Sequence, residues 1–160
     1  MKADSDLQIR NRLVKHLRGG EAFLPLDSIL DKIAYEQLGI VPEGLPYSFY
    51  QQFYHIWMAQ HDIAEYCMNP DYQAPDWPQD YWPDGKGPAD EEEWKELVSS
   101  YLSEREKLIN FIQNKENDLL GPLSSNPDHS LLREILIVIE HTSYHTGQLM
   151  IISRLLTGSD

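Results

Sequence analysis

Cys67 is the only cysteine among 160 residues, which excludes an intrachain disulfide and fits a reducing compartment. Positive charge is scarce: 13 Lys and Arg stand against 26 Asp and Glu, a net charge of −13. No Lys/Arg cluster occurs, so neither a nucleic-acid phosphate backbone nor an anionic membrane surface is an expected partner. No apolar run reaches the roughly 18 residues that a membrane span requires. The opening Met1-Lys2-Ala3-Asp4-Ser5-Asp6 lacks the apolar core of a secretory leader. No convincing strand, internal repeat or low-complexity tract can be read. These absences lead to the expectation of a cytoplasmic protein. What is present is a folding composition, 41% hydrophobic and 11% aromatic, at the length of one ordinary domain. Residues 1–160 read as a single domain.

The apolar spacing predicts an all-α protein with four long helices. The first runs from about Ser5 to Leu17, with Leu7, Ile9, Leu13, Val14 and Leu17 apolar and Gly19-Gly20 ending it. A short extra helix is expected from Asp27 to about Gln37. The second long helix spans about Tyr47 to Cys67. The third follows Asp90, which with Glu93 makes a D-x-x-E capping box, and continues to about Asn114. Glu91, Glu92 and Glu93 suit the positive end of its dipole. The fourth begins near Ser130 and ends before Gly158. Between the second and third lies a linker, Met68 to Pro88, holding five of the ten prolines together with Tyr72, Trp77, Tyr81 and Trp82. A loop this long is functional or disordered, and its aromatic content favours order, with the rings buried against the bundle.

The chemistry concentrates in the fourth helix, at Glu140-His-Thr-Ser-Tyr-His-Thr-Gly-Gln148. His141 and His145 are one turn apart, so both imidazoles reach one point about 6 Å along the axis. Steps of three and four trace a seam through Leu131, Glu134, Val138, His141, His145, Gln148, Ile152 and Leu155. Imidazoles on a buried seam need polar partners, which a metal ion or core hydrogen bonds can supply. The H-x-x-x-H spacing alone is weak evidence, since chance gives roughly 0.2 such pairs in a chain with this many histidines. Gly147 is costly inside a helix, about 1 kcal/mol against Ala, and suggests a close approach there.

On the second helix the same counting gives Ser48, Gln51, His55, Met58, Asp62 and Glu65. This line is either the wet face of an amphipathic helix or the lining of a polar pocket in which His55 faces the histidine pair. Asp62 lies two turns from His55, about 10 Å along the axis, too far to share an ion. His61 points away from His55 and reads as a surface or shoulder residue. His16 and His129 sit at helix ends and read as solvated. Tyr54 and Tyr144 read as packing, and Cys67 as an inert thiol. No Glu-x-x-His and no His-Glu-x-x-His motif occurs, which disfavours a ferritin-like di-iron centre and a zincin protease.

His55, with His141-Thr-Ser-Tyr-His145-Thr-Gly147-Gln148, gives the chain a resemblance to the DinB/YfiT-like superfamily of bacterial four-helix proteins. Pro42-Glu-Gly-Leu-Pro-Tyr-Ser48 and Asp76-Trp-Pro-Gln-Asp-Tyr-Trp-Pro83 are also similar to segments of that family. The resemblance covers nearly the whole chain, and its specificity lies in the three histidines jointly. It implies an up-down-down-up bundle and a divalent ion, most often nickel or zinc, held by His55, His141 and His145. It implies a homodimer as well. Some members are thiol-dependent transferases or isomerases using mycothiol, bacillithiol or glutathione. No further residue here matches a catalytic motif of the family.

Three neutral imidazoles leave a divalent ion's charge uncompensated and a coordination position open, the pattern of catalytic rather than structural sites. A thiol or water reaching that position would ionise more readily. Imidazole ligation suits Zn, Ni, Cu or Fe alike. Gln51 and Gln148 are each a turn or less from an implied ligand and are candidates to orient it. The expected function is therefore a metal-dependent enzyme of small-molecule chemistry, a thiol-dependent transferase or a hydrolase. The alternative is a non-catalytic metal-binding or stress-response bundle acting through dimerisation.

Overall fold

The computed structural model describes residues 2–158. Five α-helices and no strand occur among them: α1 (Lys2–Arg18), α2 (Leu26–Leu30), α3 (Phe49–Met68), α4 (Glu91–Gln113) and α5 (Leu131–Thr157). None is long and apolar enough to cross a membrane.

Helix ends follow the local chemistry. Ser48 caps α3: its side chain accepts from Gln51 N, while Gln51 Oε1 accepts from Ser48 N at 3.1 Å, a reciprocal capping box. Asp90 caps α4 by accepting from Glu93 N at 2.9 Å. The expected box closes on one side only, because Glu93 Oε2 takes Ala89 N instead. Ser130 caps α5, and Gly158 closes it in the left-handed conformation (φ 65°), which favours glycine. The short helix is shorter than its spacing suggests: α2 stops at Leu30, and Tyr35–Gln37 forms a separate 3-10 turn. The apolar residues still bury, with Leu26, Ile29 and Leu30 in the core.

Helix α3 packs against α4 and α5, and α1 packs against the same two helices. One core joins Leu13, Val14 and Leu17 of α1 to Leu108, Ile109 and Ile112 of α4 and Ile135 and Val138 of α5. The other joins α2 to Phe49, Phe53 and Ile56 of α3, Leu97 and Tyr101 of α4, and Leu149 and Ile152 of α5. Full burial of a side chain such as Phe53 stabilises by about 1.5–3 kcal/mol. Helix α5 thus carries His141 and His145 across the gap between Val138 in one core and Leu149 in the other.

Two buried arginines fasten the helices. Arg10 of α1 reaches the C-terminal end of α4, donating to the carbonyls of Ile112, Asn114 (3.1 Å) and Asn117 (2.8 Å) and to Asp6 (2.7 Å). It supplies donors that the last turn of α4 lacks. Arg105 of α4 makes a two-pronged pair with Asp27 of α2, both contacts 2.9 Å.

Candidate metal centre

His55 is 2% exposed on α3, so the line Ser48–His55–Met58 faces inward rather than toward solvent. The buried Phe49 and Phe53 fix the rotation of α3 that turns His55 toward α5. The linker between α3 and α4 then encloses the ring. Trp82 stacks on His55 with centroids 4.2 Å apart and planes within 5°, and Trp82 also stacks on Tyr47 at 4.8 Å. The Tyr81 carbonyl accepts from His55 Nδ1–H at 3.2 Å. A carbonyl can only accept, so this bond leaves the lone pair of His55 on Nε2.

The three histidines meet. His55 Nε2 and His141 Nε2 are 3.1 Å apart, and the His145 ring centroid is 4.7 Å from that of His55 and 4.3 Å from that of His141. One ligand-capable nitrogen from each lies within 4.8 Å of the other two. Tetrahedral ligand nitrogens at ~2.0–2.1 Å from an ion are ~3.3 Å from one another, so the donor set and its spacing fit a divalent ion. With the His55 lone pair on Nε2, a hydrogen bond across the 3.1 Å gap requires His141 Nε2 to be the donor.

Burial, then the neighbouring imidazoles, depress the histidines: His55 to about 4 and His141 to about 3. His145 is lowered as well, again by burial. All three are neutral at neutral pH, the protonation state ligation requires.

His145 Nδ1 is held by two amides, 2.6 Å from Gln148 Oε1 and 2.6 Å from Gln52 Nε2. Gln148 is placed as expected, whereas Gln51 is spent on the α3 cap and its neighbour Gln52 reaches the site. The Ser48-x-x-Gln51 pattern is a capping signal, and it could have released Gln51 from the site and pointed to Gln52.

Other expectations divide. Asp62 is away from the triad, and it accepts the Tyr81 hydroxyl at 2.6 Å. His61 is half-buried, the shoulder position among the two expected of it; it stacks on Trp57 and meets Glu104 at 3.2 Å, which raises its pKa. His129 is not simply solvated: Tyr66 Oη lies 2.9 Å from its Nδ1 and buried Glu134 3.3 Å from it. His16 is exposed as expected. Cys67 is buried, and burial pushes its thiol up to about 12, an inert thiol. Leu155 leaves the seam and is 59% exposed. Gly147 faces outward, with nothing within 4 Å of where a Cβ would lie, so no close approach explains it. Tyr54 packs against Trp57, but Tyr144 is 65% exposed beside His145. In the linker Tyr81 is buried as expected, whereas Trp77 is 67% exposed.

An open groove of about 370 Å³ reaches His141 and is lined by Ile137, Glu140, His141 and Tyr144. The groove opens to solvent along the face of α5 that carries His141. The sequence profile of the DinB superfamily matches residues 25–149, a span that includes all three histidines. The chain belongs to the DinB superfamily. No curated protein and no solved structure matches it. Membership of the DinB superfamily and the histidine cluster are both compatible with metal binding.

Proposed function

We propose that this protein holds a divalent ion, nickel or zinc, between His55, His141 and His145 and uses it in small-molecule chemistry. The observation that carries the reading is the convergence of three neutral, half-buried to buried imidazoles with the Nε2 atoms of two of them 3.1 Å apart. Such a group gains little from mutual contact, and a shared cation satisfies it fully. A bound divalent ion supplies Lewis acidity at a coordination position the three imidazoles leave open. The chain's own residues set the conditions. Tyr81 orients His55, Trp82 covers its face and keeps water off it, and the groove beside Tyr144 admits the substrate.

The reaction is a thiol-dependent transfer or a hydrolysis. Glu140 is the charged residue lining the groove, so an uncharged small molecule or thiol suits it better than a polyanionic one. The groove's access to His141 favours an enzyme over a non-catalytic metal-binding or stress-response bundle. The remaining elements of the reading are one domain, an up-down-down-up bundle, a homodimer and a cytoplasmic location. In support of the bundle order, the N-terminal halves of α3 and α4 share a core with the C-terminal half of α5.

Elemental analysis of untagged wild-type protein beside His145→Ala tests the metal. A stoichiometric divalent ion in the wild type that is lost in the variant supports the reading. Equal trace metal in both overturns it. Thiol-transfer and esterase screens of the loaded protein then separate enzyme from binding protein.

A further inference from the structure

The three histidines differ in what fixes their protons. His55 Nδ1 faces a carbonyl, which can only accept, so its tautomer is set. His145 Nδ1 faces two amides, and these conflict. Gln148 presents an oxygen and Gln52 a nitrogen to the same ring atom, each at 2.6 Å. A neutral imidazole nitrogen either donates or accepts, never both, so one amide is always mismatched.

The mismatch has two resolutions. If His145 Nδ1 accepts from Gln52, then Nε2 carries the proton and has no lone pair for a cation. If Nδ1–H donates to Gln148, the Gln52 amide must turn over and present its oxygen, and the Nε2 lone pair is released. Gln52 is fully buried, and its Oε1 has no hydrogen-bond partner. Turning the amide exchanges that unmet acceptor for one facing Nδ1–H.

We propose that Gln52 is a positioning residue that selects the tautomer of His145, and through it the availability of the Nε2 lone pair to a cation. The inference rests on the three-histidine reading for its consequence, but its physical content concerns the metal-free protein. Gln148 acts as the fixed acceptor, and Gln52 as the amide that turns. A half-turn of one buried side chain then separates a closed ligand from an open one, with no change in net charge.

The test compares wild type with Gln52→Met, which keeps the side-chain length and removes the donor, and with Gln52→Leu, which removes it with a shorter side chain. Long-range nitrogen–proton NMR of the metal-free proteins at neutral pH reports the His145 tautomer, with the resonance assigned by its loss in His145→Gln. The wild type is expected to show ring-nitrogen shifts intermediate between the two tautomers, and both variants a shift to the Nδ1–H form. Cobalt(II) titration of Gln52→Met is expected to show affinity raised by about twofold, the ceiling set by a wild type already divided between the two tautomers. Unchanged His145 shifts in Gln52→Met overturn the proposal, whether or not Gln52→Leu folds. If wild type binds no cobalt, the metal reading fails, while the tautomer shifts still decide the role of Gln52.

Discussion

Asp62 and Tyr81 are joined by a 2.6 Å hydrogen bond from the tyrosine hydroxyl to Oδ2, and the carbonyl of that same tyrosine orients His55. The carboxylate two turns along α3 from His55 therefore acts on the centre through the linker rather than as a ligand. Burial and Asp62 together raise the Tyr81 phenol above its ordinary value, so it stays a donor at any physiological pH.

Tyr81→Phe removes that tether and keeps the ring. Hydrogen exchange at the amides of residues 79–86 is expected to accelerate. Zinc affinity is expected to fall roughly tenfold, because the Tyr81 carbonyl no longer holds the His55 ring. An unchanged affinity, measured by competition with a chelating dye, would show that the linker does not position His55.

Gln51→Ala separates capping from the site. It removes the acceptor for Ser48 N and is expected to lower stability by about 1 kcal/mol in urea unfolding. Zinc affinity should stay at the wild-type value. A loss of affinity would mean that Gln51 reaches the centre after all.

The histidines also make stability depend on pH. Their folded values are depressed, so the unfolded chain binds more protons between about pH 6.5 and about 3. Their stabilising contribution is complete above about 6.5 and is lost as pH falls through about 4 and then about 3. For metal-free protein, the urea midpoint should fall more steeply across this window in wild type than in His141→Gln. Parallel pH profiles would show that His141 is not held neutral by the fold.

Arg10→Met tests the fastening of α1 to α4. The carbonyls of Ile112, Asn114 and Asn117 lose a charged donor in a buried setting. Destabilisation of roughly 3 kcal/mol is expected by urea unfolding. A cost under about 1 kcal/mol would mean that water satisfies these carbonyls as well.

Gly87→Ala probes the foot of the linker. A Cβ there would lie 3.0 Å from the Gly39 Cα, a backbone atom that cannot swing away. Thermal unfolding is expected to register about 1–3 kcal/mol of destabilisation from this overpacking. No change would show that the two strands of loop separate freely.

Much of this molecule is legible in the residues alone. Asp90, Ser130 and Gly158 bound two helices as read, because caps are local chemistry that tertiary packing does not rewrite. The convergence of His55, His141 and His145 follows from seam spacing joined to the family resemblance. Gln52 escaped because Gln51 and Gln52 lie four and three residues before His55, and both spacings place a side chain near it. The linker's aromatic rings are expected against the bundle, but the particular contacts of Tyr81 and Trp82 with His55 are illegible for another reason. They come from an irregular linker, where no periodicity relates position in the chain to direction in space. Nothing in the sequence separates Arg10 and Arg105 from surface charges on amphipathic helices, and only the facing carbonyls and Asp27 reveal them as buried fasteners.

The face-to-face stack of Trp82 on His55 gives the protein a built-in optical probe. Indole emission is sensitive to a paramagnetic ion within a few ångströms, and Trp82 lies that close to an implied ligand. Filling the centre with nickel should dim Trp82 most, and Trp77, 6.1 Å from His55, to a lesser degree, whereas diamagnetic zinc should leave both bright. Trp82→Phe would remove most of the signal, so fluorescence alone could follow occupancy in solution.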